Sequence, residues 1–201
     1  MKRVSLPYAP GGSPIWTEYT YDGLGRTVSV AQPNNAGTTT YLYQGNTVKV
    51  TSPSGKWKTY EMDALGRMTQ VTEPRPGGGT YSTSYGYNIT GKLISVSMPR
   101  DGVTQSRTFS YDTATQSRLM SATNPENGTV TYVYNNDGTV QSKTDAKGVR
   151  AEFTYDSYAR VAQTRRLTAA NSVEDRCQRV DYTYDEYDGY NTGRLTRVRW
   201  N

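Results

Sequence analysis

The sequence predicts an all-β protein: about eight tandem β-hairpins forming one long, curved, single-layer antiparallel sheet. Three observations predict it. An aromatic-x-aromatic pair recurs along almost the whole chain, and a turn-forming stretch follows each pair. Apolar residues make up only 34% of the sequence, too few for two packed layers when globular domains carry about 45–50%, counting Gly.

The pairs come first. Their second members are Tyr21, Tyr43, Met62, Tyr87, Tyr111, Tyr134, Tyr155 and Tyr184, spaced 19 to 29 residues apart. Two positions earlier stand Tyr19, Tyr41, Tyr60, Tyr85, Phe109, Tyr132, Phe153 and Tyr182, every one aromatic. Residues two apart share one face of a strand, so each pair lines one side of an incoming strand. Self-similarity at a period of this size marks a repeat architecture.

A turn comes next. An acid or amide follows each pair: Asp22, Gln44, Asp63, Asn88, Asp112, Asn135, Asp156 and Asp185. Then come Gly25-Arg26, Gly66-Arg67, Gly91-Lys92, Ala159-Arg160 and Gly193-Arg194, with Gly138 in the sixth unit. Asp and Asn start turns by bonding backbone two residues on, and Gly supplies a positive φ.

The outgoing strand is aliphatic, as in "TVSV", "TVKV", "LISV" and "LTRV", with Val28 and Val30 expected on one face and Thr27 and Ser29 on the other. Pro33, Pro53, Pro74, Pro99 and Pro125 close the first five units, at strand ends where a missing ladder donor costs least. Ala146 and Leu167 stand there in units six and seven. Each unit is thus two short strands about a turn, roughly sixteen strands in all, and no stretch has the helical period. A lone hairpin is marginal in water, so neighbouring units must pair. The expected organisation is a single repeat domain over residues 1–201, with repeats from about Trp16 to Val198 and a lead-in over residues 1–15.

Composition narrows the function classes. His is absent and Cys177 is alone, which removes a Cys/His zinc site, an intramolecular disulfide and the commonest general base. No catalytic residue, cofactor or metal is expected. The net charge of +5 is dispersed along the chain, so nucleic acid is not an expected partner. No apolar run reaches the length of a membrane span, and the start lacks the apolar core of a signal peptide.

Other signals read better as parts of the repeat. "GYNITGKL", residues 86–93, has P-loop spacing. Leu93 stands where a Ser or Thr must hold magnesium, and a strand follows where a helix is required. "DEYDGYNTG", residues 185–193, invites calcium but lacks the ligand order of an EF-hand and reads as an insertion in the last turn. Arg26, Arg67, Arg160 and Arg194 are expected to lie over aromatic neighbours or to pair with carboxylates rather than to bind an anion. The aromatic ladder itself has two readings: cross-strand pairs that stabilise the sheet, or a stacking surface for sugars. Its presence in all eight units favours the first.

"YTYDGLGRTVSVAQP" and "YEMDALGRMTQVTEP" closely resemble the RHS/YD repeat, and "FTYDSYARVAQTRRL" and "YTYDEYDGYNTGRLTRV" follow it more loosely. The family includes bacterial Rhs toxins, the B and C components of insecticidal toxin complexes, wall-associated proteins and the YD shell of teneurins. The resemblance implies a sheet that spirals into a hollow shell, acting as a non-catalytic wall module. In bacterial members that wall encloses a C-terminal toxic domain until delivery. It implies as partners the rest of the parent shell and the enclosed polypeptide, edge-to-edge self-association at unpaired strands, and a secreted or cell-surface bacterial protein. The Asp-Pro-x-Gly-Leu motif that closes such shells is not in this sequence, so no self-cleavage residue or toxin domain is carried over. The chain looks like a partial stretch of wall. The second reading is a glycan-binding surface repeat, similar to choline- or glucan-binding hairpin solenoids. Those set their aromatics side by side, whereas here they alternate.

Overall fold

The computed structural model describes residues 1–169, 172–185 and 193–200. Among them, all regular structure is β apart from one 3-10 turn at Pro33–Asn35, and seventeen strands belong to one sheet. By their contacts the residues divide into two compact units, Met1–Gly86 with Ser95–Gln105, and Tyr87–Ile94 with Ser106–Asn201.

The first unit carries β1 (Lys2–Ser5), β2 (Trp16–Tyr21), β3 (Thr27–Ala31), β4 (Thr38–Gln44), β5 (Thr47–Thr51), β6 (Trp57–Met62), β7 (Met68–Pro74) and all but the last residue of β8 (Thr80–Tyr87). Each pairs antiparallel with the next. β9 (Leu93–Arg100) and β10 (Val103–Tyr111) contribute residues to both units. The second unit continues the meander with β11 (Leu119–Asn124), β12 (Gly128–Tyr134), β13 (Val140–Thr144), β14 (Arg150–Tyr155), β15 (Val161–Leu167), β16 (Glu174–Tyr184) and β17 (Leu195–Trp200).

The lead-in segment holds a strand that the repeat pattern does not announce. In β1, Lys2 pairs with Tyr19 and Arg3 with Glu18, and Arg3 Nη2 meets Glu18 Oε1 at 2.8 Å. Pro7 lies as far beyond β1 as Pro33 lies beyond Val28–Ala31. β1 therefore takes the place that the second strand of a preceding hairpin would take.

The hairpin turn also differs from plain alternation. Gly25 N–H donates to Asp22 O at 3.0 Å and Asp22 N–H to Arg26 O at 3.0 Å, with Gly25 at φ 77. Tyr19 faces Val30 and Thr20 faces Ser29, but Tyr21 faces Thr27 rather than Val28. One residue of the outgoing strand is extra, a β-bulge. The same shift occurs at Met62, Tyr111, Tyr134, Tyr155 and Tyr184. Thr27 and Val30 thus lie opposite the aromatic pair, correcting the expected Val28/Val30 face. The second hairpin shows the cause. Its turn has only Gly45 and Asn46 between paired residues Gln44 and Thr47, and its register runs unbroken.

There is little core. Among the described residues the buried apolar side chains are Val96 and Ala122, the buried polar ones Thr83 and Ser142, and no large side chain is fully buried. A single layer leaves both faces of the sheet partly wet. Opposite the aromatic face, hydroxyls pair across strands: Thr20 with Ser29 at 2.6 Å, Ser110 with Ser121 at 2.7 Å and Thr123 with Thr129 at 2.8 Å.

Candidate functional site

The feature that repeats with most chemistry is a tie between hairpins, built from the turn acid upward. Asp22 Oδ1 accepts the N–H groups of Leu24 and Arg26, each at 2.9 Å, and its Oδ2 accepts Arg26 Nε at 2.7 Å. Asp63 does the same for Leu65 and Arg67, and Asp156 for Tyr158 and Arg160. The Asp63 carboxyl is held below the usual range, first by the Arg67 amide and then by its guanidinium, against partial desolvation. Asp112 is held further down, chiefly by the Arg118 amide and the Thr115 hydroxyl.

The turn cation reaches an aromatic ring of the following hairpin, its guanidinium held by the turn acid in Arg26 and Arg160. Arg26 lies 4.3 Å from the centre of the Tyr43 ring and Arg160 lies 4.3 Å from that of Tyr184; Arg118 lies 5.9 Å from that of Tyr134. Each such tyrosine then donates its hydroxyl to the carbonyl of the residue after the turn cation. Tyr43 reaches Thr27 O at 3.0 Å, Tyr134 reaches Leu119 O at 2.9 Å and Tyr184 reaches Val161 O at 3.0 Å. Tyr111 meets Leu93 O at 3.0 Å and Tyr155 meets Val140 O at 2.7 Å.

The phenol bonds sit where the backbone ladder stops. β3 and β4 pair only from Ser29–Thr40 to Ala31–Thr38, and β13 and β14 only from Ser142–Glu152 to Thr144–Arg150. Beyond those rungs, toward the bulge, the strand pair is bridged by the tyrosine. The exception supports this reading. After the unbulged second hairpin, β5 and β6 pair as far as Thr47–Glu61, and Met62 N–H donates to Asn46 O at 3.0 Å. Backbone closes that end, and methionine stands where a phenol has no gap to fill.

The model of the Teneurin YD-shell family matches residues 11–185. The chain belongs to the teneurin YD-shell family. No curated protein matches the sequence. Solved structures similar to this YD-shell chain include a crystal structure of TcdB2-TccC3-Cdc42, with TM-score 0.69 and 12% identity over 85% of this chain and 9% of that one. The Photorhabdus luminescens Tc holotoxin pore gives TM-score 0.68 and 13% identity over 85% of this chain and 9% of that one. A further TcdB2-TccC3 crystal structure gives 0.56 and 13%, over 95% and 12%. At such identity the likeness is one of fold. The chain spans about a tenth of the chains it matches.

In this YD chain the first aromatics of the pairs lie across from the outgoing strands: Tyr19 from Val30, Tyr41 from Val50, Tyr60 from Val71, Phe109 from Ala122, Tyr132 from Lys143, Phe153 from Thr164 and Tyr182 from Val198. Tyr85 and Tyr87 lie on β8. The turn glycines Gly25, Gly66, Gly91, Gly138 and Gly193 all have positive φ, as does Ala159 at 59°. The P-loop-like stretch is one of these turns: Asn88 Oδ1 accepts the N–H groups of Thr90 and Lys92, and Gly91 N–H donates to Asn88 O. The acidic stretch considered for calcium lies, over residues 186–192, outside the described residues. Among the described residues, no group of His, Cys, Asp or Glu is gathered for a metal, and no helix is long and apolar enough to cross a membrane.

Charged clusters away from the turns carry their own pairing. Lys58 and Arg100 each meet Glu73 at 2.9 Å, and Arg150 and Arg165 each meet Glu152 at 2.8 Å. A cleft of about 770 Å³ in the second unit is lined in part by that Arg150–Glu152–Arg165 cluster. One of about 670 Å³ in the first unit is lined by Val50, Trp57, Tyr60, Pro74 and Pro76 beside Lys58 and Glu73. The cross-hairpin phenol bonds, the bulges and these clusters are what sequence reasoning missed. Met62, standing where the other units carry tyrosine, is the sequence sign of the phenol bonds alone.

Proposed function

We propose that this chain is non-catalytic wall material of a YD shell, one continuous repeat domain running from about Trp16 to Val198. In its parent polypeptide that wall encloses and delivers a C-terminal toxic domain. The observation that carries the reading is the ladder: its phenols and turn arginines are spent on joining one hairpin to the next. A wall needs that linkage in every unit, whereas a binding site needs it in few. The glutamates of the charged clusters are each neutralised by two cations, which leaves them poor acids or bases for catalysis. Its partners on this reading are the rest of the parent shell and the polypeptide within, in a secreted or cell-surface bacterial protein.

The test is protease protection in the parent protein, read in the frame that contains this chain. The segment C-terminal to the wall should resist cleavage until the shell is opened by denaturant. Cleavage at the rate of the free segment would remove the enclosing role.

A second reading, glycan binding, is favoured by the apolar cleft around Trp57, Tyr60 and Pro74. It predicts retention on a polysaccharide column and a soluble sugar that raises the melting temperature. The wall reading predicts neither.

A further inference from the structure

The turn from Ser52 to Lys56 has the backbone of the acid-led turns with one side chain changed. Ser52 N–H donates to Lys56 O at 2.8 Å and Gly55 N–H to Ser52 O at 2.9 Å, as Asp22 and Gly25 do in the first hairpin. Gly55 has φ 78 and Gly25 φ 77. Where Asp22 holds the Arg26 guanidinium, Ser52 offers only a hydroxyl, which meets the Ser54 hydroxyl and donates to the Lys56 carbonyl. The Lys56 ammonium thus has no carboxylate in its own turn.

Lys56 lines the cleft of about 670 Å³ in the first unit, where Val50, Tyr60, Pro74 and Pro76 supply apolar wall. The other charges there are paired, Lys58 with Glu73 at 2.9 Å and Arg75 with Asp101 at 2.6 Å. The surrounding chain leans the same way. From Gly23 to Tyr60 it holds Arg26, Lys49, Lys56 and Lys58 and no Asp or Glu. Apolar wall is therefore set beside one uncompensated positive charge, with few polar groups left over for a ligand. Such a site suits an apolar body that carries a carboxylate. A sugar fits it less well, because each hydroxyl buried without a partner costs free energy.

We propose that this cleft docks an acidic segment of a partner protein, an aromatic side chain seated against Val50, Tyr60 and the two prolines and a neighbouring carboxylate on Lys56. Burial of the ring supplies affinity, and the acid-free surroundings steer and orient the segment. The inference does not depend on the wall reading, and it takes the cleft that a glycan would otherwise use.

A fluorescein-labelled peptide, GDEFDEG, tests it against the whole chain by fluorescence anisotropy. Saturable binding is expected. It should weaken about tenfold for GDESDEG, which lacks the ring, and about three- to tenfold for Lys56→Glu, which replaces attraction with repulsion. Lys49 neighbours Val50 on β5 and so lies on the opposite face. Lys49→Glu makes the same change in net charge there and should weaken binding by less than about twofold. No saturable binding, equal binding of the two peptides, or equal effects of the two lysine variants would overturn the proposal. Binding of tetragalacturonate by a protein that ignores the peptide would also overturn it, and would give the cleft to a glycan. An unprotected C-terminal segment in the parent protein would remove the wall reading and leave this docking site standing.

Discussion

The Tyr155 hydroxyl donates to the Val140 carbonyl at 2.7 Å, tying the end of one hairpin's first strand to the start of the preceding hairpin's last strand. No backbone rung closes the sheet at that point. Tyr155→Phe should therefore cost about 0.5–1.5 kcal/mol, the net worth of such a bond. Tyr155→Ala, which also loses the ring, should cost about 1–3 kcal/mol. Tyr134→Ala should behave alike, since every unit of a repeat array leans on its neighbours. Chemical denaturation reads both; variants that unfold with the wild type would deny the ladder its structural role.

Ala159 occupies the position of Gly25 and Gly66 with φ 59. The left-handed conformation costs an L-residue about 1–2 kcal/mol, while glycine there gives back part of this through a more flexible unfolded chain. Ala159→Gly should stabilise the protein by about 0.5–1 kcal/mol. A lower denaturation midpoint for the variant would show that the Ala159 methyl makes contacts worth more than the strain.

Acid should unfold the protein through its turns. The carboxyls of Asp63, Asp112 and Asp185 are held low in the fold by the Arg67 amide, the Arg118 amide and the Arg160 guanidinium respectively. Unfolded, they titrate near the ordinary Asp value of about 3.9. The unfolded state then binds more protons in acid, so this stability is complete above about pH 5 and is lost as pH falls through the folded values. The melting temperature should stay level from pH 7 to pH 5 and drop below about pH 4. Equal melting at pH 3 and pH 7 would contradict it.

Unpaired strand edges invite pairing with other chains. Light scattering should show dimers or larger species growing with concentration. A monomer that persists to millimolar concentration would contradict this.

Much of this architecture is legible in the residues, because each hairpin's instructions are local. Tyr19 and Tyr21 mark a strand face, Asp22 and Gly25 a turn, Pro33 an end. What is not legible depends on neighbours. The bulge at Tyr21 arises from a five-residue turn meeting a paired strand, and alternation alone gives no sign of it. β1 lacks any aromatic pair and becomes a strand because β2 offers it an edge. The long interval before Tyr184 hides an offset in β16, where Asp175 faces Arg166 and Val180 faces Thr164. Cys177 lies in that offset, exposed. The phenol bonds join residues 15 to 23 apart, so only the folded register brings them together.

That none of the described residues has a large side chain fully buried has a thermal consequence. Unfolding the sheet uncovers little apolar surface per residue, and exposure of apolar surface is what raises the heat capacity of an unfolded chain. Its heat-capacity change should lie below the about 12–15 cal/mol/K per residue of ordinary domains. The curve of stability against temperature is then shallow. Such a sheet loses stability slowly as the temperature moves away from its optimum, on heating and on cooling alike.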